Sequence, residues 1–225
     1  EGYPVRGLFS IPFAGLTEDG LPTFINQDGQ KTISSFNFQE YEKLDFLKYE
    51  GPTDPTITGS FGNILTYKNL KLNVFVTYSF GNVIRLDPVF SNAYSDLDAM
   101  PKEFKNRWMK AGDENVTNIP TIVSTRMNQQ YAYLNMAYNA YNYSDVRIAD
   151  GGFIRLKEIS LSYDLPAKVI NFFRLNKLQL KLQATNLCLL YADSKLNGQD
   201  PEFFRSGGVS TPVPKQFTFT VRLGL

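Results

Sequence analysis

The stretch LKLNVFVTYSFGNVIRL, residues 70–86, alternates along its length. Leu70, Leu72, Val74, Val76, Tyr78, Phe80, Ile84 and Leu86 occupy even positions, whereas Lys71, Asn73, Thr77, Ser79, Gly81 and Arg85 occupy odd ones. Asn82 interrupts the apolar series, and Phe75 and Val83 interrupt the polar one. Because successive side chains of a strand point to opposite faces, a period of two predicts one apolar and one polar face.

The same reading extends outward. In 177–190, Leu178, Leu180, Leu182 and Ala184 oppose Lys177, Gln179, Lys181, Gln183 and Thr185. In 215–225, Phe217, Phe219, Val221, Leu223 and Leu225 oppose Gln216, Thr218, Thr220, Arg222 and Gly224. Within 153–165, Ile154 and Leu156 share one parity and Ile159, Leu161, Tyr163 and Leu165 the other, which predicts a β-bulge near Lys157 and Glu158. A weaker strand covers 56–67, with Ile57, Phe61, Leu65 and Tyr67 in phase.

The connections sort by length. Lys68-Asn69 is a tight turn and 166–176 a short link with room for one helical turn, whereas 87–152 and 191–213 are long. Transmembrane barrels pair short periplasmic turns with long outer loops, and a soluble sandwich has no reason to sort its loops by end. Strands of about ten residues also exceed the usual globular length of about 5–6. The expected class is therefore all-β, a fragment of an antiparallel transmembrane β-barrel with about 5–6 strands. Its parts are a mainly outer-loop segment 1–55, a strand hairpin 56–86, a long outer loop 87–152, a strand pair 153–190, an outer loop 191–213 and a terminal strand 214–225. The apolar face is expected to meet outer-membrane lipid and the polar face the lumen, with Tyr67, Tyr78, Tyr163 and Phe217 as interface girdle. The rival reading is a soluble carbohydrate-binding β-sandwich, which would bury its apolar face between two sheets.

Composition narrows the chemistry. With 23 Lys and Arg against 22 Asp and Glu, no strong field favours nucleic acid. Histidine is absent and Cys188 is the single cysteine, so the commonest general base, a multi-cysteine zinc site and an internal disulfide are all removed. Asp145, Asp150, Asp193, Asp200 and Glu202 lack the Asp-x-Asp-x-Asp-Gly order of a calcium loop and are expected as solvated loop carboxylates. No catalytic residue, metal ligand or cofactor motif is assigned, and Cys188 is read as a small hydrophobe on the apolar face.

Longer words of the sequence carry a resemblance. EGYPVRGLFSIPFAGLTEDGLPTF, YEGPTDPTITGSFGNILTYKNLKLNVFVTYSFGN, VRIADGGFIRLKEISLSYDLP, LKLQATNLCLLY and NGQDPEF are similar, in order and spacing, to C-terminal barrel segments of SusC/RagA-type TonB-linked transporters. The resemblance implies a barrel of about 22 strands with a plug, of which this chain carries the last part. It also implies location in the outer membrane, import of oligosaccharides or peptides, a SusD-type surface lipoprotein as lid, and TonB engaged through the missing N-terminal part. The family commonly ends in Phe where this sequence ends in Leu225. Aromatic residues gather in the loop 87–152, and Trp108, Tyr138, Tyr141 and Tyr143 are the candidate substrate- or partner-binding residues, weighed against a simple role in holding the loop together.

Overall fold

The structure, a computed structural model, describes residues 2–38, 44–172, 175–204 and 214–224. In chain order its first strands are β1 (Gly7–Ser10), β2 (Phe13–Leu16), β3 (Pro22–Ile25), β4 (Lys31–Thr32), β5 (Lys48–Pro52), β6 (Ile57–Tyr67) and β7 (Leu70–Phe80). There follow β8 (Val83–Arg85), β9 (Ile148–Asp150), β10 (Phe153–Asp164), β11 (Lys177–Ala192) and β12 (Gln216–Gly224). Among the described residues three α-helices accompany them, α1 (Thr125–Gln130), α2 (Leu134–Asn142) and α3 (Ala167–Phe172). The chain forms two compact units, a sheet unit of Asp54–Asn82 with Asp150–Leu225 and an inserted unit of Glu1–Thr53 with Val83–Ala149.

The sheet unit is a five-stranded sheet in the order β12-β11-β10-β7-β6, antiparallel at each pairing. Its register explains the alternation. Leu65, Leu72, Leu161, Leu182 and Phe219 stand opposite one another across all five strands, and so do Tyr67, Leu70, Tyr163, Leu180 and Val221. Between these apolar rows runs a polar one, Thr66, Lys71, Ser162, Lys181 and Thr220, on the other face. A one-residue slip would reverse every side chain, so the pattern fixes the register. From Leu70 to Phe80 the apolar side chains of β7 extend about 34 Å along the strand, or roughly 26 Å at the tilt of a membrane barrel, close to the height of an outer-membrane apolar band.

Among the described residues this face is exposed, unlike the buried inner face of a sandwich. Leu65 is 60% exposed, Leu182 59% and Phe219 62%, which leaves the apolar rows bare as a lipid-facing surface requires. The sheet is also open, with β6 and β12 as its edges.

Both exceptions to the alternation have a cause. Phe75 lies opposite Gly62 on the polar face, and a Cβ at Gly62 would come within 3.1 Å of its ring. The aromatic ring thus fills the space that the glycine leaves. Val83 is no longer in β7, because Gly81 takes φ +82 and ends the strand, and Val83 starts β8 against Gly51. The strand read from the sequence as 70–86 is therefore two strands in two sheets.

The bulge sits where the parity changes. Leu156 pairs with Val76, but Glu158 pairs with Phe75, which leaves Lys157 as the extra residue of β10. That single residue returns Ile159, Leu161 and Tyr163 to the face already held by Ile154 and Leu156. Across β11 the same region is broken at Asn186, in the left-handed region at φ 54. At the turn end, β6 and β7 join through Lys68 and Asn69 with Lys68 at φ 51, and α3 occupies the short link between β10 and β11. Leu225 and residues 205–213 of the last loop lie outside the described residues.

The inserted unit is more than loop. Strands β1 and β5 pair, β2, β3 and β4 form a second small sheet, and β8 pairs with β9 at the unit's root. Its core joins Ile11, Leu21, Phe24 and Phe36 from the first segment to Phe90, Val123, Leu134, Ala137, Tyr138 and Tyr141 from the second.

Candidate functional site

The candidate binding residues Trp108, Tyr138, Tyr141 and Tyr143 all fall in the inserted unit. Helix α2 presents Leu134, Ala137, Tyr138 and Tyr141 at the i, i+3, i+4, i+7 spacing of one buried face. This short helical pattern is the signal by which the sequence marks structure inside a stretch read as loop. Tyr138 is 1% exposed and its hydroxyl donates to the Thr121 carbonyl at 2.5 Å. Tyr141, 2% exposed, packs edge-on against Phe13 and Phe90 at centroid distances of 5.7 and 5.0 Å. Burial pushes both phenols well above the ordinary tyrosine range, so neither ionises near neutrality. These two rings are core.

Trp108 and Tyr143 stand differently. The Trp108 ring lies against Gly20, where φ is +76 and a Cβ would meet the ring at 2.5 Å. Its indole N–H donates to Glu114 Oε2 at 3.1 Å, a bond that, after the Glu114 backbone amide, holds this carboxyl below the usual range. Trp108 is half-buried. Tyr143 follows the end of α2, is 43% exposed, and carries the Arg85 guanidinium 4.8 Å from its ring centre. Arg85 also donates to the Phe9 carbonyl at 2.6 Å, tying β8 to β1. Beside Tyr143 a pocket of about 300 Å³ opens between β1, α2 and the residues around Leu47.

Two arginines that the sequence did not single out, Arg147 and Arg155, complete the picture. Arg147, 3% exposed, pairs with Glu103, donates to the Asp87 carbonyl at 3.2 Å and lies 4.8 Å from the centre of the Phe90 ring. In the sheet unit, Arg155 on the polar face donates to both oxygens of Asp200 at 2.5 and 2.6 Å and lies 3.2 Å from Glu202. Asp200 is 8% exposed, so it is not the solvated loop carboxylate expected from the sequence. The segment after β11 is thereby fastened to the sheet's polar face, and Asp193 adds a bond from the Asp150 amide at 2.8 Å. Among the described residues no group of three acidic, histidine or cysteine side chains gathers in metal-binding geometry. Cys188 is exposed and pairs with Leu156 in the apolar rows.

Known proteins match this arrangement. A TonB-dependent receptor of Formosa agariphila, P3, is 25% identical over 209 residues, covering 89% of this chain and 18% of its own length. The structure of the RagAB peptide transporter superposes on 96% of the chain with TM-score 0.66 and 21% identity. The RagAB peptide importer in its open-open state does so with TM-score 0.65 and 20% identity. The chain spans less than a quarter of these relatives, 18% of the receptor and 22% of the transporter chain. No family model matches it. In fold and in sequence, the chain resembles a barrel segment of a SusC/RagA-like TonB-dependent receptor of the outer membrane.

Proposed function

We propose that the chain is part of an outer-membrane TonB-dependent importer of peptides or oligosaccharides that works with a SusD-type surface lipoprotein. The observation that carries this reading is the bare apolar face of the five-stranded sheet, in register across its width, backed by a polar face with a buried ion pair. Such a sheet is a piece of membrane wall, not an enzyme's scaffold. Resemblance to a peptide transporter supports the importing role, and TonB would be engaged by parts of the protein other than this sheet.

Within that protein the inserted unit supplies the surface that substrate or lid lipoprotein touches. Tyr143 is exposed and Trp108 half-buried, whereas Tyr138 and Tyr141 belong to the unit's core. Trp108→Ala and Tyr143→Ala, made in the complete receptor, should each lower substrate or lid binding several-fold, since a stacked aromatic is worth about 0.5–1.5 kcal/mol beyond burial. Binding measured on detergent-purified receptor at equal surface abundance tests this. Unchanged uptake and lid capture in both variants would reject the assignment.

A further inference from the structure

The inserted unit carries a pocket for which the sequence offers no motif. Phe9, Ile11, Phe38, Leu47 and Ala140 line about 300 Å³ of space, with Ser10, Asn139 and the Tyr143 phenol as the polar groups. We propose that this pocket takes one apolar side chain of an oligopeptide, which deepens and rests on the importer reading above.

The choice between peptide and glycan follows from hydrogen bonding. A sugar ring brings several hydroxyls, and each one buried without a partner carries a desolvation penalty. The lining meets few of them. The Ser10 hydroxyl already donates to Glu50 Oε1 at 2.6 Å, and Ser10 is 1% exposed. Only Asn139 and Tyr143, through its phenol, join exposure to a polar group in this lining. An aliphatic or aromatic side chain needs no such partners, and the volume lies at the small end of ligand pockets, enough for one such group and not for a chain of sugars.

The walls are also held in place before a ligand arrives. Arg85 donates to the Phe9 carbonyl at 2.6 Å and lies on the Tyr143 ring, so one guanidinium ties two lining residues together. Phe9 is braced from behind by Tyr3 and Tyr49, at centroid distances of 5.1 and 5.3 Å. A pocket ordered in this way loses little entropy when it is filled.

The test uses the complete receptor purified in detergent. Its probes are synthetic hexapeptides of Gly and Ala with one central Leu, Phe or Ser, and a neutral hexasaccharide, with binding followed by calorimetry. The Leu and Phe peptides should bind on the order of tenfold tighter than the Ser peptide, the effect of burying one such side chain. Asn139→Trp, a change at an exposed rim position, should fill the pocket and abolish that difference while leaving the Ser peptide unaffected. Tyr143→Ala should shrink the difference by removing a wall. A Leu preference that survives both variants overturns the proposal. Binding of the hexasaccharide with no peptide bound also overturns it, yet leaves the importer reading standing. If the receptor binds neither class and its deletion leaves uptake of both unchanged, the importer reading falls and takes the pocket's role with it.

Discussion

Arg155 shows how much one side chain on the polar face decides. Arg155 and Asp200 are 5% and 8% exposed, and removing Arg155 leaves the Asp200 carboxylate without its cation and away from water. Breaking a buried pair in this way costs about 3–5 kcal/mol, whereas replacing both partners with apolar groups of similar size is often neutral. Arg155→Met in the complete receptor should therefore lower its urea midpoint in detergent strongly, and Arg155→Met with Asp200→Leu should recover most of the loss. Equal destabilisation by the single and double changes would show that the pair does not fasten the segment after β11. The outer face gives a second test at the same scale. Arg in place of Val76 should cost about 2–4 kcal/mol near the bilayer midplane and Arg in place of Leu180, in the row of the girdle residues Tyr67 and Tyr163, about 0–1 kcal/mol, while Arg in place of Thr77, on the polar face, should be mild. A larger loss at Thr77 than at Val76 would mean that the faces are reversed. The facing of these residues was legible in the sequence because a strand's period of two is strict. Arg155 and Asp200 were not legible as partners, since the chain between them turns through β11 and nothing local to either residue signals the other.

Among the elements, β10 holds a feature whose removal has a sharp outcome. Lys157 is the residue that lets Leu156 and Ile159 share a face. Deleting it brings Glu158 directly after Leu156 and keeps the pairs Glu158–Phe75 and Ile159–Val74, so Ile159, Leu161 and Tyr163 should hold their face and the receptor should still reach a heat-modifiable folded state. Lys157→Ala keeps the bulge and should assemble as well. A deletion variant that fails to assemble would contradict the reading of Lys157 as the extra residue of the strand. Length decides which elements could be read beforehand. Over the eleven residues of β7 and the sixteen of β11 the alternation repeats often enough to be unmistakable. Strands β1, β2 and β3 have four residues each, too few for a period to show, and their partners lie elsewhere in the chain. The pocket was illegible for the same reason, since Phe9, Phe38, Leu47 and Tyr143 come together only through the fold of the inserted unit.

At the scale of the whole chain, an open sheet with two free edges and a bare apolar face is not a stable soluble object. Five strands cannot close a barrel wide enough for a plug, and both edges and face invite association. Expressed alone, residues 1–225 should be insoluble without detergent, and a soluble monomer with a cooperative melt would contradict the membrane-wall reading. The pairing of β8 with β9 bears on something else, the order in which such a wall assembles. Neighbouring strands β7 and β10 are separated in the chain by the second segment of the inserted unit, Val83–Ala149, and closing so long a gap is the slow step of forming non-local sheet contacts. Once β8 and β9 have paired, with the Leu86 amide on the Arg147 carbonyl at 2.9 Å, the two ends of that gap emerge side by side. What remains to be closed runs only from Phe80 to Val83 and from Asp150 to Phe153. Early folding of the inserted unit would then convert a distant encounter between strands into the zipping of a hairpin.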